Sequence, residues 1–172
     1  IRSDVNPVIF DDVVAVDAKM VDPRGAEFQE LMFVGPEHIE KNSGKLNSDV
    51  KVGEVGAISK KFLFDEQYVL YSKIRPYLRK SALARGRGLC SADMYPIRPV
   101  EGKATREFVW MLLLSDFFNG YVETLPGRAN IPKLNRKELA QFGFSLPPLK
   151  AQEKYSEIVR STLVANQSCS ES

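Results

Sequence analysis

The stretch from Tyr71 to Ser81 holds the densest set of reactive side chains in the chain. It reads Tyr71-Ser72-Lys73-Ile74-Arg75-Pro76-Tyr77-Leu78-Arg79-Lys80-Ser81, with four cations, two tyrosines and two serines. Lysine neutralises a phosphate as a point charge, whereas the arginine fork can make two hydrogen bonds to a guanine edge. Tyrosine and serine hydroxyls suit phosphate oxygens. Pro76 cannot donate to a strand ladder, so a strand entering at Tyr68 gives way to a loop there and its side chains project. Tyr71, Ile74 and Tyr77 also fit a core role, since neighbours on a strand face opposite ways. The run Pro126-Gly127-Arg128-Ala129-Asn130-Ile131-Pro132-Lys133-Leu134-Asn135 repeats this chemistry more weakly. Gly127 permits an unusual turn there, and Arg128 and Asn130 both suit two-bond contact with a base. Equally, it reads as a connection between helices rich in turn residues.

Charge distribution supports the same emphasis. The formal net charge is only +2, yet Ser72 to Ala92 carries six bases and no acid. Thr124 to Lys137 carries four bases and no acid, while Ile1 to Glu30 has seven acids against three bases. A near-neutral protein with two acid-free basic segments can present one positive face to a polyanion. Two solvated loops would have the same composition.

Other chemistries are poorly served. Gly86-Arg87-Gly88 lacks the third glycine of a dinucleotide loop, and no Walker pattern or Gly-x-Ser-x-Gly elbow occurs. Glu101-Gly102-Lys103 matches the tail of some metal-dependent nucleases, without a well-placed upstream acid. Leu146-Pro147-Pro148-Leu149 is similar by eye to the Asn-Pro-Pro-Tyr motif of adenine methyltransferases. Leucine at both ends can neither accept a hydrogen bond from a target amine nor stack on a flipped base. Cys90 and Cys169 lie far apart, and His38 is the only histidine. The expectation is therefore no catalytic residue, no cofactor and no metal, in a reducing, cytoplasmic setting. The apolar stretch Val109 to Leu114 is too short to cross a bilayer, even with Phe108 before it. The N-terminus, with Asp4, Asp11 and Asp12, does not read as a signal peptide, and Ile1 reads as a processed or trimmed start.

The elements that must position these residues read as a strand-rich first half followed by helices. Apolar runs predict strands at Val13–Val16, Leu31–Val34, Lys61–Phe64, Tyr68–Tyr71 and Met94–Ile97. Asp65-Glu66-Gln67 predicts a short turn joining the third and fourth of these. Thr105 is the expected N-cap of a helix along which Phe108, Met111, Leu112 and Ser115 follow helical spacing, with Asn119-Gly120 as its stop. Asn135-x-x-Glu138 resembles a capping box, and Phe142–Leu146 looks extended. From Lys150 an amphipathic helix carries Tyr155, Ile158, Val159, Thr162 and Leu163 as an apolar stripe for its own domain or for a partner helix. The class is α+β: a mixed, strand-rich domain over residues 1–149, then a C-terminal helix over residues 150–172.

At Tyr68–Leu78 the chain resembles the core of target-recognition domains in type I restriction-modification specificity subunits. Phe33–Glu40, Cys90–Pro99, and the closing Ile131-Pro132-x-Leu134 with Leu139, Phe142, Leu146–Leu149 and Gln152 are similar to further family elements, in family order. The resemblance implies a non-enzymatic reader of one half of a split double-stranded DNA target, directing adenine methylation and cleavage by partner subunits. The modification (methyltransferase) subunit is the expected partner, with the restriction subunit and a second copy as further ones. Residues 150–172 would be part of the family's helical spacer. Lys73, Arg75, Tyr77, Arg79, Lys80, Arg128, Asn130 and Lys133 are the expected DNA contacts. Tyr155, Ile158, Val159, Thr162 and Leu163 are the expected partner contacts. The alternatives are an interaction module that docks through the C-terminal helix without reading DNA sequence, and a nuclease or methyltransferase acting alone.

Overall fold

The computed structural model describes residues 6–126 and 133–170, with side chains as far as residue 163. Ten strands occur there: β1 (Asn6–Ile9), β2 (Val14–Ala15), β3 (Met20–Val21), β4 (Met32–Val34), β5 (Lys61–Phe64), β6 (Val69–Ser72), β7 (Ser81–Leu83), β8 (Gly88–Cys90), β9 (Met94–Pro99) and β10 (Gly143–Leu146). The helices are α1 (Val52–Val55), α2 (Arg106–Leu114), α3 (Asp116–Thr124), α4 (Arg136–Ala140) and α5 (Leu149–Ser170).

The strands form two four-stranded sheets, ordered β2-β9-β6-β7 and β3-β5-β8-β4, and a two-stranded ribbon of β1 and β10. All pairings are antiparallel except β4 with β8. β6 lies at the centre. Val69 and Tyr71 point into a cluster with Phe10, Ile97, Leu113, Phe118 and Phe142, under the helices. Leu70 points the other way, onto Val34, Phe64, Cys90 and Met94. Burial on both faces is why this strand reads as a continuous apolar run rather than an alternating one.

The predicted turn at Asp65–Gln67 forms, with Gln67 N–H donating to the Asp65 carboxylate at 2.8 Å. It does not make a hairpin. β5 pairs with β3 and β8, whereas β6 pairs with β9 and β7. The link carries the chain from one sheet to the other. Gly88 also has a definite role: a Cβ there would meet the Met32 carbonyl at 2.5 Å. Only glycine lets β8 pass between β4 and β5 so closely.

Thr105 caps α2 as expected, its hydroxyl accepting from Phe108 N–H at 3.2 Å. The helix stops earlier than Asn119-Gly120, however. Ser115 leaves helical geometry at φ −71°, ψ 153°, and its hydroxyl caps a new helix by accepting from Phe118 N–H at 3.1 Å. Asn119 is buried inside α3, donating to the Ser115 carbonyl at 2.8 Å and bracing the joint. The expected face of α2 shifts too. Val109 and Leu113 are its fully buried apolar residues, Phe108 and Leu112 are partly buried, and Met111 is 47% exposed. The Asn135 capping box forms in both directions, at 2.8 and 3.0 Å.

No helix among the described residues is long and apolar enough to cross a membrane. Cys90 is wholly buried in β8, and burial pushes its thiol well above the usual range. Thiolate is the reactive form, so alkylation of Cys90 at pH 8 should be very slow in the folded protein and complete in urea. Equal rates in the two states would show that β8 is not sealed.

Candidate nucleic-acid interface

The β6–β7 hairpin closes through Lys73–Lys80, and this connection is tightly built. Pro76–Leu78 forms one 3-10 turn, with Leu78 N–H donating to the Arg75 carbonyl and Arg79 N–H to the Pro76 carbonyl, both at 3.0 Å. Arg75 (φ 48°) and Arg79 (φ 50°) flank it in the left-handed region. Non-glycine residues there cost on the order of 1 kcal/mol each and persist where the surroundings impose them. Asn42, the third such residue among those described, donates its N–H to the Leu78 carbonyl at 3.0 Å.

The two basic segments meet at this turn. Ile74 and Lys133 form an antiparallel bridge, and Leu134 N–H donates to the Lys73 carbonyl at 2.8 Å. Lys133 is exposed beside it. Lys73 sits with its ammonium 5.4 Å from the centre of the Tyr95 ring. Burial and the neighbouring Lys133 lower the Lys73 pKa, against the pull of Asp93. A polyanion approaching this end would relieve that repulsion.

The structure sorts the expected contacts. Arg75 and Tyr77 are exposed, Tyr77 at 59%, and Arg75 has no side-chain hydrogen bond or ion pair with another described residue. Arg79 is engaged within the fold, with Nη1 donating to the Asp116 carboxylate at 2.6 Å and to the Leu114 carbonyl at 3.4 Å. Lys80 donates to the Pro36 carbonyl at 2.9 Å. Arg128 and Asn130 lie outside the described residues. The acid-free run does not form a single patch. Arg85 and Arg87 follow β7 at the open end of the hairpin, away from the 73–80 turn, and Arg85 donates to the Ser48 carbonyl at 3.5 Å. Beside the turn, loops 35–37 and 91–93 complete a cleft of about 320 Å³. Its carboxylates, Glu37 and Asp93, were not among the expected site residues. Asp93 is the first acid after the basic run, which is the signal that marks it.

α5 begins at Leu149 and packs on α2. The face it buries is Gln152, Ser156 and Val159, at 1%, 0% and 8% exposure. Gln152 is the anchor: its carbonyl oxygen accepts from Thr105 N–H at 2.9 Å, and its amide nitrogen donates to the Lys103 and Pro147 carbonyls at 3.1 and 2.9 Å. Glu107, buried on α2, lies 3.4 Å from Arg160 of α5. The expected stripe is thereby divided. Val159 serves the domain itself, and the Tyr155 hydroxyl meets the Met111 sulfur. Ile158 (59%), Thr162 and Leu163 (43%) face outward.

Comparison with known proteins gives this arrangement its class. Residues 31–165 match the family model described as the type I restriction modification DNA specificity domain. The chain belongs to that family. It is 35% identical over 151 residues to the Escherichia coli type I restriction enzyme EcoDI specificity subunit, a match covering 88% of this chain and 32% of the relative. Its fold is similar to that of the HsdS subunit from Thermoanaerobacter tengcongensis (TM-score 0.74, 20% identity, 96% of this chain and 43% of that one). A chain from a structure on complex assembly and conformational transition of the type I R-M system is also similar (TM-score 0.75, 21% identity, 96% and 43%). The chain thus spans about a third of the curated relative and less than half of each structural neighbour.

Proposed function

We propose that this chain reads one half of a split target in double-stranded DNA as the specificity component of a type I restriction-modification system. It performs no chemistry itself; adenine methylation and cleavage belong to modification and restriction subunits that it directs, in the cytoplasm. The observation that carries this reading is the bridge between Ile74 and Lys133, which joins two separate basic segments beside exposed Arg75 and Tyr77. Lys73, Arg75, Tyr77 and Lys133 form the DNA-facing set. Arg79 and Lys80 set the shape of the turn from inside, and Arg128 and Asn130, outside the described residues, belong to the same basic segment of sequence as Lys133. Residues 150–172 act as part of a helical spacer, with Ile158, Thr162 and Leu163 turned toward a partner helix, from another subunit or a second copy.

Selection from a randomised duplex pool, using this chain with its modification subunit, is expected to enrich one short motif. Salt-sensitive binding with no enriched motif would reduce the site to a basic surface and move attention to α5. The geometry makes a separate prediction about position. Lys133→Ala should weaken all sequences alike and lower the salt slope by about one unit, as loss of a phosphate contact does. Arg87→Ala, at the other end of the hairpin, should leave affinity and slope unchanged. Titrations at several salt concentrations check both, and equal effects of the two variants would place the interface elsewhere.

A further inference from the structure

We propose that Arg75 and Asp93, which line one cleft, read the two halves of a single G·C pair, Arg75 the guanine and Asp93 the cytosine. The inference rests on the reading that the β6–β7 turn faces DNA. Three loops converge there: Gly35–Glu37, the Arg75–Lys80 turn and Ser91–Asp93. Lys80 is tethered by one of its three N–H groups to the Pro36 carbonyl, whereas all the donors of Arg75 are uncommitted among the described residues. Its backbone is held on its C-terminal side, by Pro76 and by the hydrogen bond that its carbonyl accepts from Leu78 N–H. A guanidinium fork presented from a fixed backbone matches O6 and N7 of guanine.

Asp93 is the informative residue. Its backbone is fixed on both sides: the carbonyl accepts from Lys73 N–H at 3.0 Å, and its own N–H donates to the Ser91 hydroxyl at 3.1 Å. Its carboxylate has no hydrogen bond or ion pair with a described residue, only a longer-range attraction to Lys73. A surface that merely held phosphates would be opposed by a carboxylate at this place. A carboxylate is, however, the acceptor that suits the N4 amine of cytosine. Glu37, the other carboxylate of the cleft, has a 65% exposed side chain and stands in solvent, whereas Asp93 is half-buried. Acceptor and fork together select a base pair with guanine on one strand and cytosine on the other.

The test repeats the pool selection with the parent chain and the variants Arg75→Ala, Asp93→Ala and Asp93→Asn, each checked by thermal melting for an intact fold. Arg75→Ala and Asp93→Ala should relax the same single G·C position, by roughly 5- to 150-fold in discrimination, and leave the others unchanged. Their effects on unrelated duplex at low salt should have opposite signs: Arg75→Ala weakens binding and Asp93→Ala tightens it, since a repelling charge is gone. Asp93→Asn keeps an acceptor without the charge. It should tighten non-specific binding like alanine while retaining part of the G·C preference. A full motif retained by Asp93→Ala would overturn the proposal and leave Asp93 as a counter-charge to Lys73. A parent chain that enriches no motif would bring down the DNA-reading function itself, and this inference with it.

Discussion

Truncation of Phe142 to alanine is expected to lower the unfolding free energy by about 3–5 kcal/mol, the usual range for deleting a buried phenyl ring. Phe142 is 1% exposed and stands at the junction of α3, α4 and the β1–β10 ribbon. Its ring centre lies 4.9 Å from Phe118, 5.1 Å from Tyr121, 5.4 Å from Phe117 and 5.5 Å from Phe144. Each pairing adds to the area term, by roughly 0.5–1.5 kcal/mol in isolation and less in sum, because one ring cannot satisfy four neighbours at once. The Phe142 carbonyl also accepts from Phe10 N–H at 2.8 Å, so a collapse of the site would pull on the ribbon. Domains of this size are stable by only about 5–15 kcal/mol, so the variant should melt well below the parent. Phe117→Ala is the control. It touches the same ring but is 62% exposed, and should cost no more than about 1 kcal/mol. Urea melts followed by circular dichroism measure both. A loss below 1 kcal/mol for Phe142→Ala would mean that the aromatic cluster is not the keystone of the helical face.

The second large effect concerns the joint between the domain and α5. Gln152→Leu keeps the approximate volume and removes all three hydrogen bonds to Thr105 N–H and to the Lys103 and Pro147 carbonyls. A polar group left unsatisfied in a buried place costs about 1–3 kcal/mol. Water can reach part of this site once the helix shifts, so the expected total is about 2–4 kcal/mol rather than the full sum. The loss should be local. Amide exchange ought to accelerate in residues 149–163 and at the start of α2, while β6 and β9 stay protected. Gln152→Glu is no rescue, because a carboxylate can accept from Thr105 but faces two carbonyls it cannot donate to. Uniform acceleration across the sheet would instead assign Gln152 to the global core. Unchanged exchange would show that Val159 and Ser156 suffice to seat the helix.

Parts of this architecture are written in short spans of sequence. The Thr105 cap and the Asn135–Glu138 capping box each join residues three apart, so the pattern and the contact are nearly the same information. The strands β5, β6 and β9 announce themselves as apolar runs because both faces of the central sheet region are covered. The basic turn after Tyr71 is legible because Pro76 must end the strand and the cations around it have no neighbouring acids. The break between α2 and α3 does not follow from the pattern, which predicts one helix stopping at Asn119-Gly120, although Ser115-Asp116 is itself a capping signal. Asn119-Gly120 has the composition of a stop, but Asn119 is held inside the second helix by its side chain.

Contacts distant along the chain decided the rest. Two strands linked by Asp65–Gln67 could pair with each other or part, and they part because each finds better-buried partners in a different sheet. The inward face of α5 carries Gln152 and Ser156, which no apolar pattern would choose. Gln152 is buried because the backbone of residues 103–105 and 147 offers it complementary partners, and the Ser156 hydroxyl is satisfied by donating to the Gln152 carbonyl within the helix. The division of the cations into structural and exposed sets has the same origin. Arg79 meets Asp116 across 37 residues and Lys80 meets Pro36 across 44, pairings that composition and spacing do not encode. The sequence by itself determined the chemistry available, the positions of β2, β4, β5, β6, β9 and β10 and the local caps, since these depend on neighbours in the chain; β1, β3, β7 and β8 carry no such apolar signature. Only the tertiary structure decided which cation is left facing outward, and which carboxylate stands beside it, because availability depends on what the rest of the fold has already engaged.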